Sequence, residues 1–279
     1  MFGTMKELVE AAGSGTIADA AKREQAGGNI AEIPAQVERM GRALEVMRAS
    51  SEEGAQPDLR SMSGLTGGGA SKLFAHAGRA ASGPVMGRAI ARALAVAECN
   101  ACMGKIVAAP TAGACGILPA ALLTMQETRG YSDEELTDAL FTAAAVGAVI
   151  AARASIAGAE GGCQAECGTA SAMAAAAVCE LEGASAQTAV DAAAFALMAS
   201  MGLVCDPVRG LVEVPCVYRN VSGVANALTA ADYLLIPTMA ETFAASGITQ
   251  LYDTFRSVKK YTNPALKIDG VLLTRTERT

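Results

Sequence analysis

The sequence predicts an all-α protein: a compact bundle of alanine-rich helices joined by Gly- and Pro-rich loops. Three observations predict it. The chain is 52% hydrophobic but only 4% aromatic, with no Trp. Much of that apolar content is alanine, the best helix former, whereas a sheet draws on Val, Ile and aromatics. Apolar residues recur at helical spacing, as in Ile33, Val37, Met40, Leu44 and Met47. Punctuation frames the helical stretches: Ser132-Asp133-Glu134-Glu135 reads as a capping box and Gly183 as a stop.

The elements follow in order. Residues 1–54 read as helices with polar outer faces, broken at Gly27-Gly28 and resumed from Ile33 to Ala49, with Pro34 suited to a first turn. Ser51 to Pro57 reads as a linker or turn. Next comes Ser61-Met62-Ser63-Gly64-Leu65-Thr66-Gly67-Gly68-Gly69-Ala70-Ser71-Lys72, dense in Gly and hydroxyls. Such a loop, with a helix starting near Ala70, presents backbone N–H groups to an anion. It lacks the spacing of a phosphate-binding Walker loop, and a flexible linker is the alternative reading. His76 is the only histidine, and a lone His on a helix reads as structural before catalytic.

Residues 85–109 resume as a helix, with Met86, Ile90, Leu94 and Ala97 at helical spacing. Its Cys99 and Cys102 have C-x-x-C spacing without a second pair, so they read as packing residues. An irregular turn through Pro110, Thr111, Gly113 and Pro119 leads to a helix over 120–127. Further helices are expected over 133–155, 170–182 and 186–201, and from about Val224 past Asp232. The tail from Tyr252 is polar and reads as partly disordered. The whole is expected to be a single domain over 1–279, with a motif-bearing core over about 55–245 and a divergent tail over 246–279.

Bulk properties narrow the function. A net charge of −6 and no basic patch exclude nucleic acid as a partner. The first residues reach charges at once, without the apolar run of a signal peptide. The most apolar run, Ala139 to Ala152, is shorter than the roughly 18–20 residues that span a bilayer. It reads as a buried core helix, so no membrane is expected and the protein is expected to be cytoplasmic. The eight cysteines are then not expected to form structural disulfides. Cys179, inside an alanine-rich helix, reads as a core residue.

Two stretches concentrate the chemistry. The first is Gly161-Gly162-Cys163-Gln164-Ala165-Glu166-Cys167-Gly168, which reads as a reactive loop at a helix N-terminus, where partial positive charge favours thiolates. The second is Cys205-Asp206-Pro207-Val208-Arg209-Gly210-Leu211-Val212-Glu213-Val214-Pro215-Cys216. Cys163, Cys205 and Cys216 each sit beside Gly or Pro at a helix boundary, where spare backbone N–H groups can donate to sulfur. Three thiolates suit a 4Fe–4S cluster with one open iron. Their gaps, about 40 and about 10 residues, match no ferredoxin pattern, so spacing leaves the question open.

The segments Ser61–Lys72, Asn100–Pro119, Gly161–Ala177 and Cys205–Asn220 resemble the alpha chain of the iron–sulfur-dependent bacterial L-serine dehydratases (L-serine ammonia-lyases), in the right order and over roughly residues 1–245. The resemblance implies an all-helical domain whose Gly-Gly-Cys-Gln-Ala-Glu motif supplies a cluster ligand at Cys163. Its Cys-Asp-Pro-Val-x-Gly-Leu-Val-Glu-Val-Pro-Cys motif supplies Cys205 and Cys216. It implies a lyase that converts L-serine to pyruvate and ammonia. The loops around Ser61, Ser63, Thr66, Gly67, Gly68, Asn100, Thr111 and Gly113 would hold the substrate.

The same resemblance implies a beta part, fused or separate, carrying a histidine as general base. This chain has no such segment, so a separate beta chain and an oligomer are expected. Lys72 and His76 are the alternative bases within the chain. Three features depart from the family pattern: Gly69 replaces the usual Asp, Cys102 replaces an Ala, and the usual Gly-rich Ala-Thr-Pro-Thr-Gly stretch beyond about Leu235 is absent. The competing readings are an L-cysteine desulfidase-type lyase and an inactive helical assembly subunit. A pyridoxal-phosphate dehydratase would need an α/β fold, which the periodicity does not support.

Overall fold

The computed structural model describes residues 2–235. The divergent tail expected over 246–279 lies outside them, as does part of the single domain expected over 1–279. Among the described residues there are eleven α-helices and no strand. They are α1 (Met5–Ala12), α2 (Ile17–Gln25), α3 (Ile33–Gly54), α4 (Gly69–His76), α5 (Pro84–Ala101), α6 (Ile117–Arg129), α7 (Asp133–Arg153), α8 (Gly158–Gly161), α9 (Cys163–Leu181), α10 (Ala186–Ala199) and α11 (Cys216–Leu235). The all-α expectation is correct.

Helix α9 is the centre. It packs against α6, α7 and α10, and Ala170, Ala172 and Ala174 to Ala177 are fully buried. A helix apolar all round has to be enclosed. Alanine makes enclosure possible at short range, because a methyl leaves room for the neighbouring backbones. Larger side chains fill the remaining space: Leu136, Phe141 and Val146 of α7, and Ile117 and Leu122 of α6, have no exposed surface. Helix α7 is long and apolar enough to cross a membrane by length and composition alone, yet 67% of its apolar window is buried inside this fold.

The ends are set as the sequence predicts in several places. Ser132 accepts from the Glu135 N–H at 3.2 Å, while Glu135 accepts from the Ser132 N–H at 2.7 Å, completing the capping box. Several boundaries differ from expectation, and α6 spans Ile117–Arg129, taking in the Pro119 expected in the turn. The stretch read as a linker at 51–57 is helical to Gly54, because Ser50, Ser51 and Gly54 are buried. A Cβ at Gly54 would stand 1.8 Å from the Ala95 carbonyl oxygen, so α3 and α5 meet backbone to backbone there. Helix α5 ends at Ala101, short of 109. Helix α9 starts at Cys163 rather than Ala170, and α11 at Cys216 rather than Val224. The two cysteine motifs therefore open helices instead of lying wholly in loops.

Candidate active site

Two carboxylates organise the loop between α3 and α4. Glu98, on α5, is 2% exposed. Its Oε1 accepts from the Gly67 N–H at 3.2 Å and the Gly69 N–H at 3.1 Å, and its Oε2 from the Gly69 and Ala70 N–H groups, each at 3.1 Å. The loop does bind a carboxylate at a helix N-terminus. The carboxylate belongs to the protein itself. Gly67 makes the turn at φ 120, and a Cβ there would meet the Leu59 carbonyl oxygen at 2.3 Å.

The second carboxylate is Glu213. Its Oε2 accepts from the hydroxyls of Ser61 at 2.7 Å, Ser63 at 2.9 Å and Thr66 at 2.9 Å. Burial acts to raise its pKa, and the three hydroxyls outweigh burial, leaving it below the usual carboxylate value. Of the residues expected to hold substrate, Ser61, Ser63 and Thr66 are thus hydrogen-bonded to an internal partner.

The turn after α5 is tied down separately. Asn100 donates to the Ala112 carbonyl at 3.1 Å, and Asn220 donates to the Gly113 carbonyl at 2.8 Å. Thr111 donates to Glu166, on the first turn of α9. A Cβ at Gly113 would come within 2.6 Å of the Glu166 carboxylate, so glycine is what lets that carboxylate lie against the turn. Thr111 and Gly113 are therefore brought to the first turn of α9, which Cys163 opens.

Cys163 opens α9 after Gly162, whose φ of 79 turns the chain into the helix. Cys167, one turn on, hydrogen-bonds its sulfur, and Arg219 adds a second contact; together they outweigh burial and lower the Cys163 pKa to about 6. Cys167, which shares that bond and is buried, is pushed up and stays a thiol. Burial raises Cys216 to about 11, with added repulsion from Cys163 and Cys205. The segments that carry the three predicted thiols are tied to one another by the Gln164 N–H on the Leu203 carbonyl and by Arg219 on the Val204 carbonyl. Cys163 and Cys216 are buried and Cys205 is exposed. Among the described residues no set of three His, Cys, Asp or Glu groups is already gathered as a metal site. Burial likewise pushes Cys99, Cys115 and Cys179 each up to about 12, so among these thiols it is Cys163 whose pKa is lowered.

The segment carrying Cys205 is strapped rather than helical. The Gln164 N–H donates to the Leu203 carbonyl at 2.9 Å, and the Gly202 N–H to the Gln164 side chain at 2.9 Å. Arg219 of α11 donates to the Val204 carbonyl and pairs with Asp206 at 2.6 Å.

A sequence profile described as "Serine dehydratase alpha chain" matches residues 10–267. The chain belongs to that family. Among relatives, the probable L-serine dehydratase alpha chain of Bacillus subtilis is 48% identical over 200 residues, 71% of this chain and 66% of the relative. The L-serine dehydratase alpha chain of Peptoniphilus asaccharolyticus is 48% identical over 162 residues, 58% of this chain and 56% of the relative. The match thus spans less than two thirds of either protein's length. The L-serine dehydratase TdcG of Escherichia coli is 43% identical over 164 residues, 58% of this chain but only 36% of the relative.

Membership gives the geometry a context. The family motifs fall on the parts that meet here: the 61–72 loop, the 100–119 turn, the start of α9 and the 205–216 segment. Gly68 lies in the loop between Arg60 and the start of α4. Lys72 and His76 are exposed on α4, and neither makes a hydrogen bond or ion pair with a site residue. Sequence reading missed Glu98, Glu166, Glu213, Arg219 and Asn220 as organising groups. A signal existed for Glu98, a lone carboxylate in the apolar run Leu94-Ala95-Val96-Ala97-Glu98-Cys99, since such a charge needs a buried partner.

Proposed function

We propose that the chain is the alpha part of an iron–sulfur-dependent L-serine dehydratase, a lyase that yields pyruvate and ammonia from L-serine. The observation that carries this, in a chain of this family, is the hydrogen bonding that ties the three cysteine-bearing segments to one another: Gln164 to Leu203, and Arg219 to Val204 and Asp206. The donor chemistry fits: Cys163 and Cys216 at helix starts, Cys205 on the strapped segment between α10 and α11, a pKa near 6 for Cys163, and a cationic Arg219 against its sulfur. Cys163, Cys205 and Cys216 would hold a 4Fe–4S cluster. When bound, such a cluster supplies a Lewis-acidic iron that makes the serine hydroxyl a better leaving group.

The chain's own residues hold the reactants still. Asn100 and Asn220 fix the turn that presents Thr111 and Gly113, with Glu166 behind it. That turn would orient the substrate, where correct placement replaces a large entropic cost, while the Gly67-Gly68 loop is held in place by Glu98. Loss of the α-proton and the β-hydroxyl gives an enamine; its imine tautomer takes up water and releases ammonia. Lys72 and His76 are exposed and hydrogen-bond none of these groups, which favours a base supplied by a separate beta chain. Exposed Met198, Met201, Val204 and Val212 support such a partner, because they put an apolar rim on the segments that carry the site. On this reading the protein is a cytoplasmic member of an oligomer.

Anaerobic purification with iron and sulfide counts, then a pyruvate assay with and without a candidate beta chain, tests the proposal. Near four iron and four sulfide per chain, with pyruvate formed from L-serine only when the beta chain is present, is the expected result. Faster turnover of L-cysteine would favour a desulfidase. A folded, iron-free and inactive protein would favour an assembly subunit.

A further inference from the structure

The Glu213 cradle has the form of a strut. Three hydroxyls from the 61–66 loop converge on one carboxylate oxygen. Three of the four groups are enclosed, Ser61 at 6%, Thr66 at 4% and Glu213 at 7% exposed, and Ser63 closes the cradle from the exposed side. The main chain of Glu213 is engaged at the same time, its carbonyl accepting from the Val217 N–H at 2.8 Å, in the first turn of α11. The Val208 N–H closes the segment on the Val214 carbonyl at 2.7 Å. Glu213 therefore joins the 61–66 loop to the start of α11, three residues before Cys216. At the other end of the segment, Arg219 holds Val204 and Asp206 beside Cys205.

We infer that Glu213 is a positioning residue: held by Ser61, Ser63 and Thr66, it fixes the 205–216 segment so that Cys216 faces Cys163. In this arrangement the three hydroxyls act through Glu213 and are not direct ligands of the substrate carboxylate. The rival account makes Glu213 an internal occupant of the substrate carboxylate site, displaced when serine binds. Burial of Ser61, Thr66 and Glu213 and the engagement of the Glu213 main chain in α11 favour the strut. The inference rests on the proposed cluster, and the test separates the two.

The test uses the full chain with Glu213→Gln, Thr66→Val and Thr66→Ser, each checked for folding by its thermal transition. Two quantities are read: iron retained per chain against a chelator, and the alkylation rate of Cys216 in metal-free protein, followed by peptide mass spectrometry. Groups that orient metal ligands typically cost about 10–100-fold in metal affinity when removed, and E213Q is expected within that range. T66V should fall between E213Q and the parent chain. T66S, which keeps the hydroxyl, should retain iron as the parent does. Cys216 should be alkylated several-fold faster in E213Q. Parent-like iron retention and parent-like Cys216 alkylation in E213Q, with a lower KM for serine, would overturn the strut in favour of the rival. If the parent chain itself takes up no iron, the cluster reading fails; the Cys216 alkylation rate then still decides whether Glu213 holds that segment.

Discussion

Two carboxylates grip the same loop, and they do it with different donors. Glu98 is held by backbone N–H groups of Gly67, Gly69 and Ala70. Glu213 is held by the side-chain hydroxyls of Ser61, Ser63 and Thr66. The first grip depends on backbone shape, so glycine encodes it and no side chain on the loop can replace it. The second depends on side-chain chemistry and tolerates loss of one donor while two remain. The bundle repeats the first device elsewhere: Glu180 of α9 accepts from the Ile17 and Ala18 N–H groups at 2.6 and 3.0 Å, at the start of α2. Backbone-held carboxylates thus fasten helix starts to the core, while the hydroxyl-held one fastens a functional segment. The difference separates what keeps the bundle folded from what aims its cysteines.

That contrast can be broken by substitution, starting with Glu98. Glu98→Ala removes a buried charged acceptor and leaves the N–H groups of a helix start without a partner. The expected loss is about 3–5 kcal/mol, read from denaturant unfolding. A loss below about 1 kcal/mol would mean that water or a rearranged loop replaces the carboxylate, and would erase the distinction between the two grips. Gly67→Ala should come next, at about 2–3 kcal/mol, because φ 120 is strained for any side chain and the added Cβ meets the Leu59 carbonyl. Thr66→Val keeps the shape and removes one of three hydroxyls. About 1–2 kcal/mol is expected from the same unfolding measurement. If Thr66→Val cost as much as Glu98→Ala, the hydroxyl grip would belong to the folding core as well.

The fold was readable in the sequence because alanine content, spacing and caps all point to helices, and the Ser132–Glu135 capping box forms as written. The boundaries at Cys163 and Cys216 were misread for a physical reason. Gly161-Gly162 and Pro215 look like interruptions, yet a left-handed glycine or a proline at the threshold is a common way to begin a helix. The candidate site was readable as a set of loops but not as a network. Its acceptors lie far along the chain from their donors: Glu98 is 31 residues from Gly67 and Glu213 is 152 from Ser61. No local pattern links them. What the sequence did contain was the imbalance itself, a lone carboxylate in an apolar helix and a glycine- and hydroxyl-rich loop with no stated anion.

The smallest expected effect sharpens the comparison through pH. Glu213 is held in its ionised form, with a folded-state pKa below the ordinary value. A group whose pKa is lowered by folding adds stability that is present above its unfolded pKa and is lost as pH falls through the folded one. At neutral pH the parent chain should therefore exceed Glu213→Gln in thermal midpoint. Below the ordinary glutamate value of 4.5 the gap should narrow, because protonation removes the charge that the hydroxyls favour. Thr66→Val should follow the same trend with a smaller gap, since two donors remain to favour the ionised form. A gap that stays constant from neutrality to about pH 3 would show that the cradle holds Glu213 by shape rather than by charge. It would then resemble the Glu98 grip more than the donors suggest.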